Sequence, residues 1–223
     1  MKLEPSSGPT QCLASDIRKD LLYRLHWDLF GSLNDIQAWE TLDNNDCTLM
    51  PFFEHPMASE LLTTTPFDQL EVEARAVEDR FDFIECKYDS DDQRWKGPQP
   101  LILKNSADSP ITIGKFVTAI HEYFNNDNNN AKIMECINMF YSGPPTHHEG
   151  NMYSLSVEAN GTWPPRNKIP KGATHFFQDL REYGPIEGKW RMGVNVFTEG
   201  DMGYTLERFW EKRKMFQKRY AMQ

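Results

Sequence analysis

The alternation of apolar and polar positions is clearest between residues 100 and 124. Residues 101–103 form a short apolar run, which is typical of a buried strand, and residues 105–110 are rich in turn formers. Thr112 then precedes a series of apolar residues at helical spacing. The series is Ile113, Phe116, Val117, Ile120 and Phe124. This segment predicts an amphipathic helix whose first turn is capped by the Thr112 hydroxyl.

Four further helices are predicted from the same periodicity. Ser15 is placed to cap a first helix, with apolar residues from Ile17 to Leu29 on one face and Gly31 at its end. Asn130 is placed to cap a helix with Ile133, Ile137 and Phe140 facing inward. Residues 174–184 are predicted as a short helix that begins at Thr174. Residues 205–221 are predicted as the last helix.

Strands are predicted where the apolar positions alternate with a period of two. Residues 70–74 and 190–196 show this alternation, and so do residues 153–159. Phe81 and Phe83 favour a further strand after a charged stretch. Residues 42–68 contain three prolines and several turn formers, so we expect irregular structure there.

These elements predict an α+β fold in one domain over residues 15–223, preceded by a flexible tail at residues 1–14. We expect a mixed or antiparallel sheet of about four to five strands with helices packed on it. The 39% hydrophobic and 26% charged residues are typical of a globular protein. The first residues do not resemble a signal peptide, and no apolar run is long enough to span a membrane. We therefore expect a cytoplasmic protein with reduced cysteines and no membrane partner.

Several classes of catalytic motif are missing from the sequence. It contains no Gly-x-Gly-x-x-Gly, no P-loop and no Gly-x-Ser-x-Gly. The four cysteines include no Cys-x-x-Cys pair, and the adjacent His147 and His148 lack a partner at metal-ligand spacing. We therefore predict neither a metal site nor a cofactor.

The last predicted helix is strongly basic, although the chain has a formal net charge of −9. Six cations stand there against Glu207 and Glu211. They are Arg208, Lys212, Arg213, Lys214, Lys218 and Arg219. Clustered cations bind nucleic-acid phosphates and release counterions. The alternative is a packed helix whose cations complement its own dipole and an acidic body.

Asp179 and Glu182 are three residues apart in the predicted helix over 174–184. On a helix, this spacing places both carboxylates on one face. Such a pair can divide the roles of general acid and general base when the two environments separate the pKa values. The alternative is a solvated side of a surface helix.

Four segments resemble a fungal domain-of-unknown-function family. They are Leu25-His-Trp-Asp-Leu29, Met50-Pro-Phe-Phe53 with Pro56, and residues 111–124, followed by Trp190-Arg-Met-Gly-Val194. The chain also resembles the fungal arginine-containing cyclodipeptide synthases of secondary metabolism. That family is associated with an Asp-Asp-x-x-Glu motif, and its nearest counterpart here is Gln178-Asp-Leu-Arg-Glu182, with Gln178 in the first acidic position.

The second resemblance implies an aminoacyl-tRNA-dependent transferase that joins arginine from its charged tRNA to a second amino acid. It implies that Asp179 and Glu182 bind or deprotonate the arginyl moiety. Arg208, Lys212, Arg213 and Lys214 would contact tRNA phosphates. The alternatives are a non-catalytic protein-interaction domain and a small-molecule cyclase or isomerase of a biosynthetic cluster.

Overall fold

Seven strands form two sheets among the residues that the computed structural model describes. The described residues are 17–41, 47–64, 67–87, 96–106, 109–141, 172–186, 189–200 and 204–221. The larger sheet contains β4 (Gln69–Ala74), β5 (Leu101–Lys104), β6 (His175–Ile186) and β7 (Lys189–Thr198) in the order β5-β4-β7-β6. β4 and β7 are parallel and the other neighbours are antiparallel, so the predicted α+β fold with a mixed sheet is confirmed.

β6 and β7 form a long hairpin, so the helix predicted over residues 174–184 is wrong. Ten residue pairs match across the hairpin, with irregularities at Gln178 and Tyr183. Phe177 and Leu180 face the main core, whereas Phe176, Asp179 and Arg181 face outward. These irregularities and the polar outward positions obscure the period of two in the sequence. The strand predicted over residues 190–196 is confirmed as β7.

The smaller sheet was not predicted. It contains β1 (Leu25–His26), β2 (Gln37–Thr41) and β3 (Cys47–Pro51), all antiparallel. The predicted first helix is confirmed only as α1 (Lys19–Leu22), because the chain turns after Leu22 and enters β1. Within the irregular segment predicted over residues 42–68, β3 is followed by two 3₁₀ turns, Phe52–Glu54 and Pro56–Ser59.

Among the described residues, three helices lie between β4 and β6 in the chain. They are α2 (Arg75–Lys87), α3 (Ile113–Asn125) and α4 (Asp127–Tyr141). The strand predicted at Phe81 and Phe83 is wrong because both residues lie in α2, whose first residue Arg75 forms ion pairs at helical spacing with Glu78 and Asp79. α4 begins at Asp127, before the Asn130 cap that the sequence predicts, and it buries Ile133 and Ile137.

α3 confirms its prediction closely. The Thr112 hydroxyl accepts a hydrogen bond from the Lys115 amide at 3.2 Å. All five predicted inward residues have no exposed surface. The preceding strand, β5, is at the edge of the sheet and alternates between half-buried and exposed residues, so the prediction of a buried strand is wrong in that respect.

The four-stranded sheet has two unlike faces. Its inner face contributes Leu70, Val72, Leu180 and Val194 to one core with α2, α3 and α4. Its outer face presents Phe176 and Phe197 at one end, where α5 (Leu206–Ala221) covers them. The strand predicted over residues 153–159 lies outside the described residues. No helix in the described part of the chain is long and apolar enough to cross a membrane.

Candidate functional site

The last helix, α5, packs across the outer face of the β6–β7 hairpin. The Thr205 hydroxyl accepts a hydrogen bond from the Arg208 amide at 3.2 Å and so caps the helix. Phe209 stacks on Phe197 with ring centroids 4.1 Å apart. Trp210 stacks in the same way on His26 of the smaller sheet, at 4.1 Å. The predicted last helix is therefore confirmed, and its aromatic residues fix it against both sheets.

Arg213 is the cation that connects α5 to the rest of the molecule. Its guanidinium donates to the carbonyl oxygens of Phe177 and Gln178 in β6, and to those of Leu22 at 2.9 Å and Leu25 at 3.2 Å. The residue is only 2% exposed. Burial lowers the pKa of Arg213 to about 10, so the side chain stays charged at neutral pH. The prediction of Arg213 on a phosphate-contacting surface is wrong, since its donors point into the protein.

A pocket of about 300 Å³ lies between α5, the hairpin and Tyr23, the residue that follows α1. It is lined by Tyr23, Gln178, Asp179, Phe197, Tyr204, Phe209, Lys212, Arg213 and Phe216. Asp179 is held there by a hydrogen bond to its Oδ1 from the Asn195 side chain on β7. The pocket therefore combines aromatic walls with one carboxylate and one exposed ammonium, that of Lys212.

The other cations predicted to contact phosphate lie on the outward side of α5. Arg208 and Lys214 are exposed. The Arg208 guanidinium lies 4.5 Å from the ring centroid of Tyr204, and the Lys214 ammonium lies 4.6 Å from that of Trp39. Because Tyr204 also lines the pocket, Arg208 and Lys212 are near the same opening. The structure thus brings Asp179, Lys212 and Arg213 together in the pocket lining, and it places Arg208 against Tyr204.

Glu182 does not belong to this group. It lies on the inner face of β6, opposite Met192, where its side chain is 5% exposed and contacts the Lys19 ammonium at 2.6 Å. Apolar residues including Ile17, Phe67 and Leu70 surround it. Because β6 is a strand, the two carboxylates at 179 and 182 point to opposite faces of the sheet. The prediction that they share one face is therefore wrong.

A second charged group was missed by the sequence analysis. On the outer face of the larger sheet, Arg191 of β7 contacts two carboxylates of β4, Glu71 at 2.9 Å and Glu73 at 2.8 Å. Burial raises the pKa of Glu73, while Arg191 acts in the opposite direction. Burial raises the pKa of the Tyr123 hydroxyl, and the negative charge of Glu73 raises it further. The sequence does contain charged residues that alternate with apolar ones, in Glu71-Val-Glu73 and in Trp190-Arg-Met192. The structure pairs these two segments side by side.

The described histidines are engaged in hydrogen bonds or ring stacking. His175 bonds the Thr198 hydroxyl at 2.9 Å, and His121 bonds the Gly31 carbonyl at 2.9 Å. Among the residues that the structure describes, no three His, Cys, Asp or Glu side chains are grouped to hold a metal ion. His147 and His148 lie outside those residues.

No family model, no curated protein and no solved structure matches this chain. The chemistry of the pocket must therefore be read from its own residues. Aromatic walls stack on planar groups such as a guanidinium or a nucleobase. A carboxylate accepts hydrogen bonds from a cationic group, and exposed cations at the opening attract phosphate.

Proposed function

We propose that the α5 pocket binds the arginyl end of a charged tRNA and that the protein joins arginine to a second amino acid as a cyclodipeptide. The observation that carries this proposal is that Asp179 and Lys212 line one pocket. One supplies the negative charge that an arginine side chain needs, and the other supplies positive charge for the adjoining phosphate. The resemblance to the arginine-containing cyclodipeptide synthases supplies the reaction.

Asp179 is the acceptor for the arginine guanidinium in this proposal. Its hydrogen bond from Asn195 uses Oδ1, so Oδ2 can accept from a ligand. Arg213 is nearby, but all four of its hydrogen bonds go to backbone carbonyls. Tyr204 and Phe216 also line the pocket, and because Arg208 and Tyr23 each cover one face of these rings, a flat guanidinium would stack on the other face.

Arg208, Lys212 and Lys214 are exposed on the same helix and contact the tRNA backbone. The reaction needs no nucleoside triphosphate, because the ester between an amino acid and its tRNA is already activated. The amine of one aminoacyl group attacks the ester carbonyl of the other, forming an amide and releasing a tRNA hydroxyl. The amine proton passes to that leaving oxygen or to solvent, and a second attack of the same kind closes the ring.

The test is expression in a host that supplies charged tRNAs, followed by mass spectrometry of the medium. The wild-type chain is expected to yield an arginine-containing cyclodipeptide, and Asp179→Asn is expected to reduce it at least tenfold. Asp68→Asn removes an exposed carboxylate elsewhere and serves as the matched control. The absence of product from a folded wild-type protein across replicates would falsify the proposal.

A small-molecule cyclase or isomerase is the second candidate, and the Glu73 group is the observation that favours it. Glu73 is buried and Arg191 holds its carboxylate at 2.8 Å, and a carboxylate positioned in this way can act as a general base. This candidate predicts that Glu73→Gln abolishes an activity that survives Asp179→Asn. The cyclodipeptide synthase predicts the reverse order of sensitivity.

A further inference from the structure

The outward side of α3 borders a broad, shallow groove far in sequence from the α5 pocket. The groove has a volume of about 590 Å³. Its lining is Phe53, Ala58, Ser59, Gly114, Lys115, Thr118, Ala119 and Glu122. Thr118 and Ala119 are small side chains at the centre of the α3 side of this surface, so another element can approach the helix backbone closely there. Gly114 itself is needed for internal packing, because a Cβ there would lie 2.8 Å from the Ala58 carbonyl oxygen.

Exposed apolar side chains lie next to this groove. Phe53 is 45% exposed and forms part of the groove wall. Leu61 is 49% exposed and is bridged to Thr112, the cap of α3. Large apolar side chains at the edge of a groove are typical of interaction surfaces.

The two charges in the groove are placed against the dipole of α3. Lys115 is in the first turn and Glu122 is in the last, whereas a helix is stabilised by acids at its start and cations at its end. Both residues are exposed, and the Lys115 ammonium donates to the Ser109 hydroxyl and the Pro110 carbonyl, neither of which carries a negative charge. Glu122 forms no ion pair with the part of the chain that the structure describes. Their positions therefore do not favour the isolated helix.

The same two charges are complementary to a reversed copy of themselves. Lys115 and Glu122 are seven residues apart, which is roughly 10 Å along a helix. In an antiparallel pair of α3 helices related by a two-fold axis near Thr118 and Ala119, each lysine meets the glutamate of the other copy. Such an interface uses one patch twice, as a two-fold dimer requires.

We propose that this groove is a homodimer interface, with a second copy of the chain packed antiparallel on α3. The small residues allow the helices to cross closely, two Lys115–Glu122 pairs fix the orientation, and Phe53 packs at the edge. Two exposed ion pairs and one apolar side chain at the edge are few contacts for a stable dimer. We therefore expect a reversible dimer with a dissociation constant on the order of micromolar. The inference is independent of the function proposed for the α5 pocket.

A charge-swap experiment tests the orientation directly. Sedimentation equilibrium over a concentration series is expected to show a dimer for the wild-type chain. Lys115→Glu and Glu122→Lys each place like charges opposite one another, and each is expected to weaken the dimer at least tenfold. The double variant restores opposite charges and is expected to restore dimerisation. Lys104→Glu and Glu207→Lys are matched controls at exposed sites outside the groove, and they should leave the dimer unchanged.

Loss of folding does not explain the expected result, because both reversals place a charge that favours the α3 dipole. Lys115→Glu also removes the hydrogen bonds of the Lys115 ammonium to Ser109 and Pro110 on the surface. We expect melting temperatures close to that of the wild type, and circular dichroism checks this. A wild-type chain that stays monomeric at high concentration overturns the proposal. A folded double variant that remains monomeric overturns the antiparallel arrangement.

Discussion

The two sides of α5 use the same kind of residue for different purposes. On the side facing the sheets, Arg213 is buried and donates to four backbone carbonyls. On the outward side, Lys212 and Lys214 precede and follow it in the sequence and are exposed. The difference shows that the basic composition of this helix has two sources. Arg213 holds the helix in place, whereas Lys212 and Lys214 remain exposed, with Lys212 at the pocket.

Removal of the buried cation gives the largest expected effect. Arg213→Ala leaves buried carbonyls of both β6 and the α1–β1 segment without donors, and each such group costs about 1–3 kcal/mol. We expect the free energy of unfolding to fall by roughly 3–5 kcal/mol in urea denaturation. Arg213→Lys retains the charge but lacks the planar set of donors, so it is expected to be intermediate.

Lys214→Ala is the matched control for that substitution. Its ammonium contacts the Trp39 ring from the exposed side of the helix, and an exposed contact of this type contributes about 0.5–1 kcal/mol. If Arg213→Ala destabilised the protein no more than Lys214→Ala, the distinction between the two sides of the helix would be wrong.

Protonation of His26 is expected to weaken the buried side of α5 by an intermediate amount. Burial lowers the pKa of His26, and the nearby charge of Arg213 lowers it further. Between this lowered pKa and the unfolded value near 6.5, the unfolded chain binds more protons than the folded chain. Stability contributed by neutral His26 is therefore complete above pH 6.5 and is lost as the pH falls from there through the lowered pKa.

Urea midpoints measured from pH 7.5 to 5.5 check this dependence. His26→Phe retains a ring for stacking on Trp210 but removes the titration, so its midpoint should fall less steeply over this range. Burial also lowers the pKa of His175, which leaves a residual slope of the same sign in the variant. Identical slopes for the variant and the wild type would show that His26 does not couple α5 to pH.

Charge reversal on the outward side is expected to have the smallest effect on stability. Arg208→Glu and Lys212→Glu alter exposed side chains, for which changes of about 0.5 kcal/mol are usual. Their effect should instead appear in tRNA binding, as weaker affinity and a salt slope reduced by about one for each phosphate that the variant no longer binds. If these variants bound tRNA at low salt as tightly as the wild type, Arg208 and Lys212 would be surface cations that do not contact the tRNA.

The success of the sequence predictions followed the strength of local patterns. α3 was predicted with its cap and inward residues because one face is wholly apolar and the signal is contained within thirteen residues. β6 was predicted as a helix because its outward positions carry Asp179, Arg181 and Tyr183, and two irregularities interrupt the alternation. β1 has only two residues and depends on pairing with β2, which no local pattern records.

The candidate site was less predictable than the fold. Asp179 and Lys212 were both selected from the sequence, but their proximity depends on the packing of α5 against the hairpin. The sequence alone does not show that Arg213 is buried while Lys212 is exposed. That difference depends on the backbone carbonyls of β6 and the α1–β1 segment, which accept from Arg213 only in the folded protein. The contact of Arg191 with Glu71 and Glu73 needs the parallel pairing of β4 and β7, which brings together residues more than a hundred positions apart.

The most direct test of the account is the affinity of the protein for arginyl-tRNA compared with the same tRNA uncharged. If Asp179 binds the arginyl group, the wild-type chain prefers the charged form, and Asp179→Asn abolishes that preference while still binding tRNA. Lys212→Glu is expected to weaken both forms equally, because it acts on phosphate. Equal wild-type affinity for the charged and uncharged forms would contradict the account.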